Sequence, residues 1–376
     1  MVIVKKVNNN PKGMSDFIDF PYRLYKDDPN WSPPIRLERK IFFSRKNPFM
    51  SHSEVNYFVA YENGQPVGRV TAHKDEIYNK QYRTQQGFFG FFECRENSDT
   101  AGKLMEACEN WARAQGMNSL LGPLNFTTNH EIGFLSKGFD SPPMIMMPYT
   151  KEYYPEIMFK LGYTKEKELI AYSLNRTHTL PDFFVNLADK IARDYQDTVK
   201  IRTFHMHKLK SELKILLDIY NSAWSKNWGF VPMTDEEISD IARQIKFFAN
   251  PDFIYILYKD DKPAAFLLAL PDINEILIKI KNGKLFPTGW FRLLFQRKHI
   301  KSGRVLLMGV RREFRNQGLD VLLYYQLLKD GLEKTSVENI ELSWILEDNK
   351  AMVSILKNLQ ADPYKRYLIL KKMLDE

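Results

Sequence analysis

Short runs of apolar residues, some alternating with polar ones and some spaced for a helix, follow one another along the first half of the chain. Two aromatic-rich runs around the turn Asn63-Gly64 predict a β-hairpin over 57–72. The remaining runs predict a strand, a helix, a strand, a helix and a strand, in that order, at 87–93, 100–115, 120–123, 153–161 and 168–174.

The second half repeats this order of elements. Its pattern predicts two helices, a hairpin, and then strand, helix, strand, helix, strand, at 210–224, 235–248, 253–270, 305–310, 319–332, 340–345, 350–359 and 367–370. A chain of 376 residues is longer than one ordinary domain. We therefore predict an α/β protein with mixed sheets and two domains in tandem, which span residues 1–175 and 176–376.

The junction between the strand at 305–310 and the next helix carries the most specific chemistry. Gly318 immediately precedes the helix, and the loop before it contains Arg311, Arg312 and Arg315. A helix start has backbone N–H groups without intrahelical partners and the positive end of the helix dipole. Because glycine also lets an anion approach the backbone closely, the sequence predicts a pyrophosphate-binding site here.

The first half lacks such a loop at the corresponding position. Residues 93–102 read Glu-Cys-Arg-Glu-Asn-Ser-Asp-Thr-Ala-Gly, and their carboxylates would repel a pyrophosphate. We therefore expect any anionic cofactor to bind the second domain.

Positive charge is concentrated in one segment of the second half. Lys and Arg number 54 against 46 Asp and Glu, and residues 276–304 hold eight Lys or Arg with no Asp or Glu. The rest of the chain is close to neutral, which argues against a nucleic-acid partner. The basic segment lies in an insertion at about 272–303, roughly thirty residues long, which exceeds the length of ordinary loops.

Within the insertion, residues 285–301 mix aromatic and aliphatic side chains with basic ones, namely Trp290, Phe291, Leu293, Leu294 and Phe295 beside Arg292, Arg297 and Lys298. This mixture is typical of a helix at the surface of an anionic membrane, and a soluble helix that packs its apolar side on the domain fits it equally. No apolar run has the length of a membrane span, and the N-terminus lacks a signal-peptide pattern. We expect a cytoplasmic protein, with peripheral contact at the inner membrane face.

Cysteine and histidine residues indicate no metal or disulfide chemistry. Cys94 and Cys108 are too few for a disulfide scaffold or a thiolate zinc site. His52, His73 and His130 lack the spacing of metal ligands, so no metal is expected.

The strand, the sequence Arg315-Asn316-Gln317-Gly318 and the following helix resemble the acyl-CoA-binding motif of the GNAT superfamily of N-acyltransferases. The order of elements in both halves is also that of GNAT domains. The resemblance implies two tandem GNAT-like domains, the second of which binds acyl-CoA or acetyl-CoA through Met308, Val310, Arg315, Asn316, Gln317, Gly318 and Leu319. Asp320 departs from the motif, which usually has a small residue there.

The same resemblance identifies residues 341–349 as the second GNAT motif. Asn349 is a suitable N-cap for the helix that follows. The Tyr that usually acts as the catalytic acid aligns with Leu356, so a carboxylate such as Glu347, water or a residue of the other domain would have to replace it. The alternative is that Glu347 is one of the acidic residues that commonly decorate a helix start.

Polar residues among aromatic ones provide further catalytic candidates in the first half. His52 precedes the first hairpin strand, and Glu131 follows the strand at 120–123, where open α/β sheets bind ligands. The segment 221–232 likewise clusters aromatic residues with amides. Turn chemistry explains each of these residues individually just as well.

Segments spread over residues 47–370 resemble one bacterial family of tandem GNAT-like proteins, to which bacterial ceramide synthases are similar. They include residues 87–93, 122–126, 142–149, 227–234, 270–275, 308–311 and 341–349. The resemblance implies an N-acyltransferase that moves an acyl group from acyl-CoA or acyl carrier protein to a primary amine, such as a sphingoid base.

Two other functions remain open at this stage. The basic segment is also compatible with a peptidyltransferase-like protein that uses aminoacyl-tRNA. Asp320 and Leu356, which both depart from the GNAT pattern, are compatible with a non-catalytic protein that only binds a ligand.

Overall fold

A computed structural model describes residues 1–177 and 179–374. In the first half, the chain forms β1 (Val2–Lys6), α1 (Pro11–Leu24), α2 (Arg36–Phe42), β2 (Ser53–Glu62), β3 (Gln65–Asp75), α3 (Glu76–Tyr82), β4 (Gln86–Cys94), α4 (Ser98–Ala114), β5 (Ser119–Gly122), β6 (Leu124–Asn125), β7 (Glu131–Ile132), β8 (Phe134–Lys137), α5 (Tyr154–Lys160) and β9 (Thr164–Asn175).

The second half forms α6 (Asp182–Asp194), β10 (Val199–Thr203), α7 (Leu209–Trp224), α8 (Asp235–Phe248), β11 (Ile254–Lys259), β12 (Lys262–Pro271), α9 (Asn274–Leu277), α10 (Gly289–Phe295), β13 (Ser302–Val310), α11 (Leu319–Lys334), β14 (Asn339–Leu346), α12 (Lys350–Asn358) and β15 (Asp362–Met373). The alternation of strands and helices confirms the predicted α/β class. The elements that were not predicted from the sequence are β1, α1, α2, α3, β6, β7, β8, α6, β10 and α9.

The chain divides into two compact units that interleave along the sequence. The first comprises residues 1–169, 276–294 and 365 onward, and the second comprises residues 170–275 and 295–364. Part of the basic insertion therefore packs with the first unit. The predicted domains are continuous in sequence, and their boundary at residue 175 stays a prediction.

In the first unit, antiparallel pairing joins β1 to β2, β2 to β3 and β3 to β4. The strand β4 then runs parallel to β5, and β5 pairs antiparallel with β15, the last strand of the chain. The helix α4 covers one face of this sheet, where Leu104, Met105 and Cys108 are buried against it. Cys108 lies four residues after Leu104 and three after Met105, which places these side chains on one side of the helix.

In the second unit, antiparallel pairing joins β10 to β11, β11 to β12 and β12 to β13, and β13 runs parallel to β14. The apolar side of α11 packs on this sheet through Leu319, Leu323 and Leu327, each of which is buried. The end of β13 and the start of α11 are thereby fixed with respect to each other.

Candidate functional site

The parallel strands β13 and β14 separate partway along their length. They pair only over Ser302–Val305 with Asn339–Leu342, whereas β13 continues to Val310 and β14 to Leu346. Met308 and Val310 are half-buried in the part of β13 beyond the pairing. This edge of β13 offers backbone N–H and C=O groups that are not used by β14, and a bound chain can hydrogen-bond to them.

The helix α11 begins at a glycine in the left-handed region. Gly318 is the N-cap, with φ of 72°. A Cβ at this position would lie 2.4 Å from Cδ1 of Ile191, so a larger residue would adopt a disfavoured backbone conformation and the end of the Ile191 side chain would have to shift. Having no side chain, Gly318 leaves the first N–H groups of the helix to other partners.

One of these N–H groups is taken by the neighbouring carboxylate. The backbone N of Val321 donates to Oδ1 of Asp320 at 3.0 Å. Burial raises the pKa of the Asp320 carboxyl, which opposes the lowering effect of this hydrogen bond. The departure of Asp320 from the GNAT motif therefore places an acidic group at the helix start, and its charge is disfavoured by burial.

The basic loop before α11 is fastened to the end of α7. Arg312 donates to Oγ of Ser225 and Arg315 donates to the backbone O of Ala223, each at 2.6 Å. Asn316 is exposed and has a positive φ of 62°. These bonds fix the loop backbone and bring the sequence segment 221–232 to the predicted cofactor residues.

The other predicted cofactor residues differ in their surroundings. Gln317 accepts a hydrogen bond from Nζ of Lys259, which also lies 3.7 Å from the centre of the Tyr195 ring. Leu319 is 1% exposed and belongs to the core, so only its backbone is available to a ligand.

The corresponding position of the first unit is filled by the unit's own side chains. At the end of β4, the backbone N of Cys94 donates to Oη of Tyr154 at 3.0 Å, and Tyr153 donates to the carbonyl O of Cys94 at 2.8 Å. Asn97 caps α4 by accepting from the N of Thr100 at 2.8 Å. The end of this strand and the start of this helix thus already have partners, which favours ligand binding in the second unit.

A buried ion pair stands beside this position in the first unit. Glu93 accepts from Nε of Arg69 at 2.7 Å, and the side chains are 12% and 8% exposed. Burial raises the pKa of Glu93 while Arg69 lowers it. Arg69 therefore compensates the charge of Glu93, one of the carboxylates that were predicted to repel a pyrophosphate at this loop.

The predicted catalytic residues of the second unit lie at the start of α12. Asn349 accepts from the N of Met352 at 3.3 Å, which confirms it as the N-cap. Glu347 is exposed in the preceding turn. Leu356, where GNAT proteins usually have the acid Tyr, is completely buried in the core.

The predicted catalytic residues of the first unit are both hydrogen-bonded. Nδ1 of His52 lies 3.2 Å from Oδ1 of Asp75, and the edge of the His52 ring packs on Phe49. Glu131 accepts from Nδ2 of Asn125 at 3.3 Å. Because Asp75 holds one ring nitrogen of His52, the pair has the orientation of a carboxylate–imidazole base.

A buried polar cluster in the second unit was missed by sequence reasoning. Arg304 and Glu341 are register partners on β13 and β14, are 2% and 0% exposed, and approach to 3.5 Å between Nε and Oε1. Arg304 also donates to Oγ of Ser343 at 2.8 Å, and Tyr364 donates to Glu341. The cluster lies where the two strands begin to separate. Its signal in the sequence is a charged residue within each of two otherwise apolar strands.

Among the described residues, no group of three His, Cys, Asp or Glu side chains is arranged to hold a metal ion. Over the same residues, no helix is both long and apolar enough to cross a membrane.

Solved structures define the class of fold. A tandem GNAT protein from the clavulanic acid biosynthesis pathway matches with a TM-score of 0.59 at 12% identity, covering 100% of this chain and 99% of its own. A GCN5-related N-acetyltransferase from Sphaerobacter thermophilus matches with a TM-score of 0.55 at 11% identity, covering 100% and 96%. The fold is therefore that of tandem GNAT proteins, as predicted.

Two relatives are similar in sequence over nearly the whole chain, while no protein-family model matches it. The protein YghO of Escherichia coli is 38% identical over 371 residues, which cover 97% of this chain and 94% of the relative. A bacterial ceramide synthase of Caulobacter vibrioides is 33% identical over 371 residues, covering 97% and 96%. The chain belongs to the tandem GNAT-like acyltransferase family that contains these two proteins.

Proposed function

We propose that the protein is an N-acyltransferase that moves an acyl group from acyl-CoA, or from an acyl carrier protein, to a hydrophobic primary amine such as a sphingoid base. The observation that carries the proposal is the left-handed Gly318 at the start of α11, directly after a strand that has separated from its parallel neighbour. The similarity to a bacterial ceramide synthase supports the choice of acceptor.

In this proposal, the backbone of β13 at Met308 and Val310 binds the donor beyond the paired part of the strand. Arg315, Asn316, Gln317, Gly318 and Leu319 form the turn that receives the pyrophosphate at the start of α11, where the helix dipole and the N–H groups of the first turn favour an anion. The donor supplies the acyl group as a thioester.

The reaction requires the amine nitrogen to attack the thioester carbonyl while the C–S bond breaks and the thiolate takes up the proton lost by the amine. Glu347, beside the N-cap Asn349, is a candidate for proton transfer in the second unit. His52, oriented by Asp75, and Glu131 are the candidates in the first unit. Another group must take the role of the usual Tyr, because that position holds the buried Leu356.

We also propose that the insertion contacts an anionic membrane at the cytoplasmic face. The side chains of Phe286, Phe291, Leu294 and Phe295 are 76%, 49%, 52% and 69% exposed. Leu293 is buried, so α10 packs one apolar residue inward and leaves others outward. Exposed aromatic and aliphatic side chains beside Lys and Arg bind well at the boundary between lipid headgroups and acyl chains.

Thiol release tests the proposed reaction. The protein is mixed with acyl-CoAs of several chain lengths and with a panel of amines that includes detergent-dispersed sphinganine. We expect release of CoA thiol that requires both substrates and yields one amide per thiol. Donor binding without thiol release from any pair would overturn the proposed catalysis and favour a ligand-binding role. Salt-sensitive binding of tRNA in place of acyl-CoA would overturn the proposed donor.

A further inference from the structure

We propose that α2 is a second membrane-contacting element, which lies beside the insertion and enters the same anionic lipid surface. The inference rests on the proposed membrane contact of residues 285–301 and extends it to a segment of the N-terminal region. It identifies an interaction surface formed by α2 and residues 276–294 of the insertion, two stretches of the first unit that are far apart in sequence.

The helix α2 presents apolar side chains outward. Leu37 and Ile41 are 62% and 49% exposed, and their spacing of four residues places them on the same side of the helix. Each residue of α2 is half-buried or exposed. The helix therefore has the character of an interfacial helix rather than of a core helix.

The start of α2 is bonded directly to the insertion. The backbone N of Arg36 donates to the carbonyl O of Gly283 at 2.9 Å, and its Nε donates to the carbonyl O of Asn282 at 2.6 Å. Gly283 has a φ of 64°, and a Cβ there would lie 2.5 Å from the carbonyl O of Pro34. The two backbones are thus in close contact immediately before Phe286, the most exposed phenylalanine of the insertion.

Arg36 is itself held in place, which makes the connection rigid. Its guanidinium lies 3.7 Å from the centre of the Tyr22 ring and forms an ion pair with Asp19. Tyr22 in turn donates to the carbonyl O of Pro34 at 2.7 Å. The chain before α2 is therefore fixed by α1, and the start of α2 is held against Asn282 and Gly283.

Positive charge surrounds both elements. The exposed basic residues in α2 and just after it are Lys40, Arg45 and Lys46, and those of residues 276–294 are Lys279, Lys281, Lys284 and Arg292. The acidic residue of α2, Glu38, accepts from Nε of Arg39 at 2.7 Å and is neutralised by it. An anionic lipid surface complements both features, because its headgroups attract the cations and its acyl boundary accommodates the apolar side chains.

Vesicle flotation of the full chain tests the proposal. The vesicles contain phosphatidylcholine with phosphatidylglycerol, or phosphatidylcholine alone. The variants are Leu37→Ser with Ile41→Ser in α2, and Phe291→Ser with Leu294→Ser in the insertion. Phe159→Ser in α5 is the matched control, because Phe159 is 46% exposed in the same unit.

We expect each double variant to lower partitioning to anionic vesicles about tenfold, because two exposed apolar side chains no longer enter the lipid. The control variant should bind as the unchanged protein does. Unchanged melting temperatures, expected for exposed positions, show that the variants are folded.

Three results would count against the proposal. If the α2 variant floats as the unchanged protein does and only the insertion variant loses flotation, α2 is not part of the membrane-contacting surface. If both variants float as the unchanged protein does, neither element contacts the membrane. Thiol release on detergent-dispersed amine still tests acyl transfer separately. If the α2 variant loses binding to an acidic acyl carrier protein but not to vesicles, the surface is a protein interface.

Discussion

Replacement of Gly318 by Ala separates the structural and the ligand-binding roles of the start of α11. Any residue other than glycine in the left-handed region costs about 1–2 kcal/mol. The new Cβ would also lie 2.4 Å from Cδ1 of Ile191, the end of a flexible, half-buried side chain, and moving that side chain off its preferred rotamer costs about 0.5–1.5 kcal/mol. We therefore expect Gly318→Ala to lower the free energy of unfolding by about 1.5–3.5 kcal/mol.

Gly116 provides a matched control for this variant. Its φ is 70°, close to the 72° of Gly318, but a Cβ at Gly116 would have no heavy atom within 4 Å. Gly116→Ala should therefore show only the backbone cost, about 1–2 kcal/mol. Urea unfolding followed by circular dichroism measures both variants, and calorimetric titration with acyl-CoA measures donor binding.

The overlap with Ile191 can be removed separately. Ile191→Val deletes Cδ1, and the next atoms of this side chain lie 3.3 and 3.8 Å from the position that the alanine methyl group would occupy. The double variant Gly318→Ala with Ile191→Val should recover most of the free energy of unfolding lost to the overlap, but none of that lost to the left-handed backbone. If Gly318→Ala is no more destabilising than Gly116→Ala, the close approach to Ile191 is refuted. If Gly318→Ala binds acyl-CoA as tightly as Gly116→Ala does, this turn does not bind the donor.

Three further predictions concern single side chains. Glu341→Gln removes the negative charge that faces the buried Arg304 and should lower the free energy of unfolding by about 3–5 kcal/mol. A loss below about 1 kcal/mol in urea unfolding would contradict this. Asn349→Ala removes a helix cap and should cost about 1 kcal/mol, whereas Asn349→Asp, which can still cap, should cost less in the same assay. Burial lowers the pKa of His73 to about 4. Between about pH 6.5 and pH 4 the unfolded chain therefore binds a proton at His73 that the folded chain does not bind. The contribution of His73 to the free energy of unfolding is complete above about pH 6.5 and is lost as the pH falls towards 4. His73→Gln should reduce this loss, and an unchanged slope of stability against pH over that range would refute the assignment.

Sequence patterns predicted elements whose signals are local. The helix predicted at 319–332 is observed at Leu319–Lys334, and the strand predicted at 340–345 is observed at Asn339–Leu346. In both, the apolar period and the turn residues lie within the element itself. The same locality explains why Asn349 could be identified as an N-cap from the sequence.

Elements without a clear local signal were missed. The helix α1 contains Pro21 in its interior, a residue that argues against a helix when only the sequence is considered. The helix α6 was also missed, and it begins shortly after the predicted domain boundary at residue 175. Its buried residues Phe184 and Ala188 pack in the core of the second unit, and that partner is not visible in the sequence.

The candidate site shows the same limit. The turn at 315–318 follows from residue types in a fixed order, so it could be predicted. The pairing of Arg304 with Glu341 depends on the register of two strands, and Arg304 was counted only as part of a basic segment. The bonds of Arg36 to the insertion likewise join residues far apart in the chain, and periodicity within either segment does not reveal them.

Hydrogen exchange of backbone amides, followed by mass spectrometry with and without acyl-CoA, tests the central claim most directly. The account predicts that acyl-CoA protects peptides covering residues 308–322, at the end of β13 and the start of α11. Peptides covering residues 93–102 should exchange equally in both conditions, because Tyr154 and Asn97 already occupy that strand end and helix start. Protection at 93–102 instead, or no protection at 308–322 at saturating acyl-CoA, would contradict it.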